Sequence, residues 1–144
     1  MYLTREDIAA AVGKVELVQL SNDDGYGSAP DWEIIDRAIA YACELADGYL
    51  TGRYRLPLEP APSILRPLCT DIARHWLHSR RINAAEFPKP LQLSYENALK
   101  VLANIRDGKI HLGVRDDADA PDRPQTEGGA YHVRAKAKQN WEGY

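Results

Sequence analysis

Apolar residues recur at spacings of three and four along residues 31–50, which is the strongest pattern in the chain. This spacing places the apolar side chains on one face of an α-helix. Asp31 suits the N-cap position, while Gly48 and Gly52 weaken the last turns and Pro57 stops the helix. The predicted apolar face consists of Ile34, Ile35, Ala38, Ile39, Ala42, Leu45, Ala46, Tyr49 and Leu50.

Two more segments, residues 63–81 and 90–107, show the same helical spacing. Proline-bearing connectors at residues 57–62 and 83–90 separate the three predicted helices. A residue in the middle of each apolar face is expected to be buried, so that its truncation would leave a cavity. The two faces consist of Ile64, Leu65, Leu68, Cys69, Ile72, Ala73, Trp76 and Leu77, and of Leu91, Tyr95, Ala98, Leu99, Leu102 and Ile105.

Two short helices are predicted before the long ones. Residues 4–13 begin with Thr4 as N-cap, have Asp7 at the capping-box position and end at Gly13. The inner face of this helix is expected to include Ala11. The run Val15 to Leu20 fits either a strand or a short helix, and we favour the helix because no second strand pattern exists to pair with it.

These patterns together predict an all-α fold, a small antiparallel helical bundle of three long helices plus short N-terminal helices. Residues 1–114 form the helical domain in this interpretation, and an extended C-terminal tail follows at residues 115–144. The segment 21–30 is rich in Gly, Asp, Asn and Ser and predicts a loop.

The tail, residues 115–144, has almost no aliphatic residues and is rich in charged residues, proline and glycine. Such a segment cannot form a core of its own. We therefore expect a second copy of the chain or another protein to hold it. The expected contact residues are Tyr131, Val133, Trp141 and Tyr144.

The charge balance argues against a dedicated nucleic-acid binder, because the formal net charge is −3 over 144 residues. An ordinary solvated surface explains most single basic residues. Some of them are nevertheless candidates for weak contact with DNA phosphates or for a charged subunit interface. These candidates are Arg80, Arg81, Arg134, Lys136 and Lys138.

No arrangement of residues in the sequence predicts a reaction, a cofactor or a metal. Cys43 and Cys69 fit buried, reduced thiols better than a disulfide framework. His75 and His78 follow Cys69 at a spacing that matches no common zinc site. No serine has a nucleophile-elbow motif and no glycine-rich phosphate loop is present. We therefore expect neither catalytic residues nor cofactor ligands, and we do not expect an enzyme.

The N-terminal residues have no signal-peptide pattern, and no apolar run reaches the roughly 20 residues that span a bilayer. We expect a protein that is made and kept in the cytosol and does not enter a membrane.

Several short motifs together carry a family resemblance. They are Met1-Tyr2-Leu3-Thr4, Ile35-Asp36, Ile39, Asp47-Gly48-Tyr49-Leu50, Arg53-Tyr54, Leu56-Pro57-Leu58, Pro62, Cys69-Thr70-Asp71-Ile72-Ala73 and Gly108-Lys109. Over about residues 1–114 the chain resembles the small head–tail connector proteins of Mu-like phages and prophages. No motif of the family matches the loop at 21–30 or the tail after Val114. The residues that carry the structural signature are Asp47, Gly48, Tyr49, Leu50, Arg53, Tyr54, Leu56, Pro57 and Asp71.

The resemblance implies an α-helical adaptor of the phage neck, located in the virion and assembled in the host bacterial cytoplasm. It implies a homo-oligomeric ring, a dodecamer by family class, between the portal protein and the stopper or tail-terminator proteins. DNA would pass through the lumen without specific binding. The alternative is a small helical nucleic-acid-binding or regulatory module, and an enzyme ranks third.

The segment 47–58 is interpreted as a structural corner between two long helices and not as an active site. Tyr49 and Leu50 are expected to pack inward, and Pro57 to turn the chain toward the next helix. The corner is also expected to hold an ion pair of Asp47 or Asp71 with Arg53 or Arg74. Gly48 and Gly52 are each expected to allow close approach.

Deletion of residues 115–144 is predicted to leave the helical content and the melting temperature of the isolated monomer almost unchanged but to block assembly. The reason is that this segment has no core residues of its own. Circular dichroism and light scattering measure the two effects. Wild-type assembly by the truncated chain would refute the prediction.

Overall fold

The computed structural model describes residues 1–24, 27–81 and 87–114. Within these ranges the chain is all-helical, and the predicted fold class is confirmed. The residues of the predicted tail lie outside the described ranges. The helices are α1 (Arg5–Val12), α2 (Lys14–Ser21), α3 (Trp32–Leu50), α4 (Leu65–Ser79) and α5 (Lys89–Arg106).

The two short helices begin and end as the sequence predicts. Thr4 and Asp7 form a reciprocal capping box at the start of α1. Gly13, at φ 91°, ends α1 and caps α2, a conformation that side-chain-bearing residues rarely adopt. The run Val15 to Leu20 is helical, as favoured above.

The start of α3 is fixed by two polar side chains. The Asp31 carboxylate accepts hydrogen bonds from the backbone amides of Glu33 at 3.0 Å and Ile34 at 3.4 Å. Ser21, which is fully buried, donates to Leu17 O at 2.7 Å and accepts from the Asp31 amide at 2.8 Å. This hydroxyl joins the end of α2 to the start of α3.

The connector after α3 contains two cis peptide bonds, Leu56–Pro57 and Glu59–Pro60. Helix α5 has a proline in its first turn, where the missing amide hydrogen costs little. Gly108, at φ 81°, follows the end of α5, as the sequence predicts.

Helix α4 lies at the centre of the packing and contacts each of the other four helices. Helices α3 and α5 pack most extensively against it and against each other, while α1 and α2 pack on α3 and α4. The core is built from one face of each long helix together with Leu3, Ile8, Leu17 and Leu20. The two short helices α1 and α2 therefore lie beside α3 and α4.

The structure places several predicted core positions outside the buried core, among them Ile64, Ala11 and Leu99. Ile64 is 37% exposed because it precedes the first turn of α4 as its N-cap. Ala11 is exposed on the outer face of α1. Leu99 is only partly buried, because the deepest line of α5 runs through Ala98, Leu102 and Ile105.

Ile72→Ala is predicted to destabilise the fold by roughly 2–5 kcal/mol, because Ile72 is fully buried and its truncation leaves a cavity. Leu99→Ala should cost less, since part of that side chain already contacts water. Chemical denaturation of the purified chain measures both values. Val15→Ala, at a side chain that is 74% exposed, is the control and should change stability by no more than about 0.5 kcal/mol. Equal costs at Ile72 and Val15 would contradict this packing.

Candidate functional site

Tyr54 anchors the corner between α3 and α4. Its side chain is 1% exposed, and its hydroxyl accepts a hydrogen bond from the Leu112 amide at 3.4 Å. The ring of His111 meets the Tyr54 ring edge-on, with 6.4 Å between the centroids. The corner therefore holds the segment that follows α5.

Arg53 joins the same corner to the end of α5. Its guanidinium donates to the carbonyl of Ile105 at 3.0 Å, and the same carbonyl accepts from the Gly108 amide at 3.1 Å. A Cβ at Gly108 would lie 2.6 Å from the Arg53 guanidinium. Gly108 is favoured by its positive φ, and a Cβ there would also displace the end of the Arg53 side chain.

Asp47 connects the corner to the N-terminus. Its carboxylate accepts the hydroxyl hydrogen bond of Tyr2, a side chain that is 7% exposed. Burial, followed by the Asp47 carboxylate, raises the pKa of the Tyr2 hydroxyl, which therefore stays protonated as a donor. The first residues of the chain are in this way fixed to the last turns of α3.

The expected ion pairs of the corner are replaced by other contacts. Asp47 binds the Tyr2 hydroxyl, and Arg74 binds Glu16 of α2. Asp71 makes no hydrogen bond or ion pair with a described residue. The sequence favoured partners that lie close along the chain, whereas the crossing of helices brings distant ones together.

The two glycines of the corner do not serve close approach. A Cβ at Gly48 or at Gly52 would meet no atom within 4 Å. Leu50 packs inward as predicted and is fully buried, while Tyr49 and Leu56 are partly buried and Pro57 is exposed. The role of these residues as a family signature stays a prediction.

A second polar cluster holds α2 against α4. Arg74 donates to both carboxylate oxygens of Glu16, at 2.8 and 3.0 Å, and a ring nitrogen of His78 lies 3.0 Å from the same carboxylate. Burial raises the pKa of Glu16, but the hydrogen bonds from Arg74 and His78 outweigh it and hold the pKa below its usual value. The sequence contained no local signal for this cluster, because its members are about 60 residues apart.

Arg80 and Arg81, the predicted contacts to phosphates or a subunit, hold the loop after α2. Arg80 pairs with Asp23 at 2.9 Å and lies over the Trp76 ring at 5.5 Å. Arg81 donates to the Asn22 carbonyl. The other predicted contacts lie outside the described residues, and they are Arg134, Lys136 and Lys138 together with Tyr131, Val133, Trp141 and Tyr144.

The cysteines and histidines of the bundle occupy structural positions. Cys43 and Cys69 are free and buried, and the neighbouring Cys43 thiol, followed by burial, raises the pKa of Cys69. The His75 ring stacks on Tyr95 with 3.9 Å between the centroids. Among the described residues, no group of three or more His, Cys, Asp or Glu side chains is placed to hold a metal ion.

The described part of the chain is therefore a helical body whose clustered polar groups join its helices. No helix in the described ranges is long and apolar enough to span a bilayer. Its side-chain clusters tie together the first residues of the chain, the segment that directly follows α5 and the loop after α2. The fold and these clusters define a small all-helical protein in which the described residues show no assembled reaction centre.

Comparison with known proteins gives the family. The chain matches the family model described as Bacteriophage Mu, Gp36 over residues 2–130. It is 30% identical over 113 residues to Gene product J of Escherichia phage Mu, a match that covers 78% of this chain and 77% of that protein. It is 32% identical over 96 residues to the Mu-like prophage FluMu protein gp36 of Haemophilus influenzae, which covers 67% of this chain and 62% of that protein. The chain belongs to the phage Mu Gp36 family.

The family match confirms the resemblance to a protein family of Mu-like phages and prophages. It also extends that resemblance, because the matched range runs to residue 130 and includes the loop at 21–30. The short motifs that were read from the sequence end at about residue 114, and they missed the similarity in the segment beyond it.

Glu16→Gln is predicted to destabilise the fold by about 1 kcal/mol near pH 7, because the charged hydrogen bonds to Arg74 and His78 are lost. The folded-state pKa of Glu16 is lowered, so its contribution is present above the unfolded pKa and disappears as pH falls through the folded pKa. Urea denaturation at several pH values should show the two proteins converging in acid.

The matched control is Glu33→Gln, which removes a carboxylate from the exposed pair with Arg37. An exposed pair at this helical spacing contributes only about 0.3–0.5 kcal/mol. A stability difference for Glu16→Gln that stays constant from neutral pH into strong acid would show that the carboxylate charge plays no part.

Proposed function

We propose that this chain is a structural head–tail connector, an adaptor of the neck of a tailed phage. Copies of it would form a homo-oligomeric ring that contacts the portal protein on one side and stopper or tail-terminator proteins on the other. DNA would pass through the lumen. The observation that carries this proposal is the family match along residues 2–130, together with the motif resemblance to connectors of Mu-like phages.

The contacts within the bundle support an adaptor, because they make the helical body rigid. Tyr2 and Asp47, Arg53 and the Ile105 carbonyl, and Glu16 with Arg74 each join parts of the chain that are more than 40 residues apart. These cross-connections suit a ring subunit that has to keep one shape while it contacts its neighbours.

The charge of the chain supports passage of DNA without tight binding. The net charge is −3, and duplex affinity grows with the number of phosphates that a protein neutralises. Arg80 is engaged by Asp23, and Arg81 by the Asn22 carbonyl. These arginines are therefore less available to hold phosphates than the sequence suggested.

Mixing the purified chain with the portal protein of the same phage or prophage tests the proposal. Size-exclusion chromatography with light scattering should show the chain eluting with the portal, at a mass that corresponds to several copies per portal ring. The chain alone and a mixture with the major capsid protein are the controls. If the chain stays monomeric and never binds the portal, the proposed connector role is contradicted.

A duplex-DNA titration over a range of salt concentrations distinguishes the alternative. A connector should bind duplex weakly, with a shallow dependence on salt. Tight binding with a steep salt dependence would instead favour a nucleic-acid-binding module.

A further inference from the structure

Helices α1 and α4 form a shallow depression of about 480 Å³ on the bundle surface. Two acidic side chains line this depression, and most of its other lining residues are small or apolar. We refer to this surface as the acidic depression. It is lined by Asp7, Ala10, Ala11, Arg66, Pro67, Thr70 and Asp71.

Asp71 is the carboxylate of the acidic depression that has no hydrogen-bond or ion-pair partner among the described residues. It is half-buried, and burial raises its pKa while the nearby Arg74 acts in the opposite direction. Its carboxylate makes no hydrogen bond or ion pair with a described residue. The neighbouring cations bind other acids, since Arg74 contacts Glu16 and Arg66 contacts Asp7 at 3.5 Å. A cation brought by a partner would compensate this carboxylate.

The other residues of the acidic depression are suited to contact with a flat aromatic side chain. Ala10, Ala11 and Pro67 are exposed and project little from their helices. The Thr70 hydroxyl is already engaged, because it donates to the Arg66 carbonyl at 2.9 Å. These side chains leave room for a large partner residue and offer it apolar surface.

A second surface, on α3 and α5, has the opposite character. Tyr41 and Tyr49 of α3 lie beside Tyr95 of α5, and we call these three residues with Arg106 the aromatic face. Tyr41 is 39% exposed, and the Arg106 guanidinium lies 5.7 Å from the centroid of the Tyr49 ring. Burial, then the nearby Tyr41, raises the pKa of the Tyr95 hydroxyl. Tyrosine and arginine are enriched among the residues that dominate protein interfaces.

We propose that the aromatic face of one copy docks into the acidic depression of the next copy. This inference rests on the proposed ring, because a ring closes through head-to-tail contacts that use two different surfaces of one chain. The charges are complementary. Asp71 has no described partner, whereas Arg106 is half-exposed and pairs only with its exposed neighbour Asp107 among the described residues.

The placement of the two surfaces allows both to be occupied at once. The acidic depression uses α1 and α4, the aromatic face uses α3 and α5, and no residue belongs to both. One copy can therefore receive a neighbour on α1 and α4 while its own tyrosines contact another neighbour. Two surfaces of this kind produce a chain of copies, which closes into a ring when the rotation between copies divides a full turn.

Cysteine cross-linking between differently labelled copies tests the docking. Ala11→Cys places a thiol in the acidic depression, and Tyr41→Cys places one on the aromatic face. The two variants are mixed with a short bismaleimide, with and without portal protein. A covalent dimer is expected in the mixture and not in either variant alone. Arg37→Cys, one helical turn before Tyr41 and exposed, repeats the test without removing an aromatic ring.

The wild-type chain with the same reagent controls for Cys43 and Cys69, which are buried. Circular dichroism verifies that each variant is folded. In the Ala11→Cys chain, Asp71→Arg should lower the dimer yield severalfold by placing cations opposite cations. Glu59→Arg makes the same charge change in the connector before α4 and should leave the yield unchanged.

Three results would overturn the proposal. The first is the absence of a covalent dimer both when Ala11→Cys is mixed with Tyr41→Cys and when it is mixed with Arg37→Cys. The second is an equal yield from Tyr41→Cys alone, which indicates a contact between two identical faces. The third is a dimer of Ala11→Cys with Trp141→Cys in place of Tyr41→Cys, which assigns the acidic depression to the C-terminal segment.

This test is separate from that of the connector role. Portal binding without the cross-link would contradict the proposed docking surfaces and would leave the proposed function supported. The cross-link without portal binding would support the contact between copies and would contradict the role in the neck.

Discussion

The structure depends on the burial of α4 between its neighbours. Every other helix packs on it, so its apolar residues form the common floor of the core. Cys69, Ile72 and Leu77 are fully buried, and the Cys69 thiol lies near the Ala42 carbonyl. The polar side chains of α4, among them Asp71, Arg74 and His78, lie on the part of its surface that is not buried.

The polar contacts have a second role, which is to fix the ends of the chain segments. Tyr2 is held by Asp47, and the end of α5 is held by Arg53. Both contacts converge on the last turn of α3 and the turn that follows it. That turn is therefore a junction of the N-terminus, the long helices and the segment after α5, which explains its strong sequence pattern without a catalytic role.

Much of the fold could be predicted from local chemistry. The capping box of Thr4, the N-cap of Asp31 and the positive φ of Gly13 and Gly108 each involve atoms a few residues apart. The expected ion pairs of the corner were wrong, and the glycines there were assigned the wrong purpose. Partner choice for Asp47 and Arg74 depends on residues 45 and 58 positions away, which no local pattern encodes.

The sequence by itself determined the number, type and limits of the main helices, because helical periodicity and capping are local properties of the chain. It also contained the motifs that identify the phage Mu Gp36 family. Only the tertiary structure decided which helix is central and which side chains meet. It alone brought α1 beside the first turns of α4, leaving Asp71 without a described partner, and placed the tyrosines of α3 beside Tyr95. Helix crossings set these contacts, and the crossings follow from packing over the whole bundle.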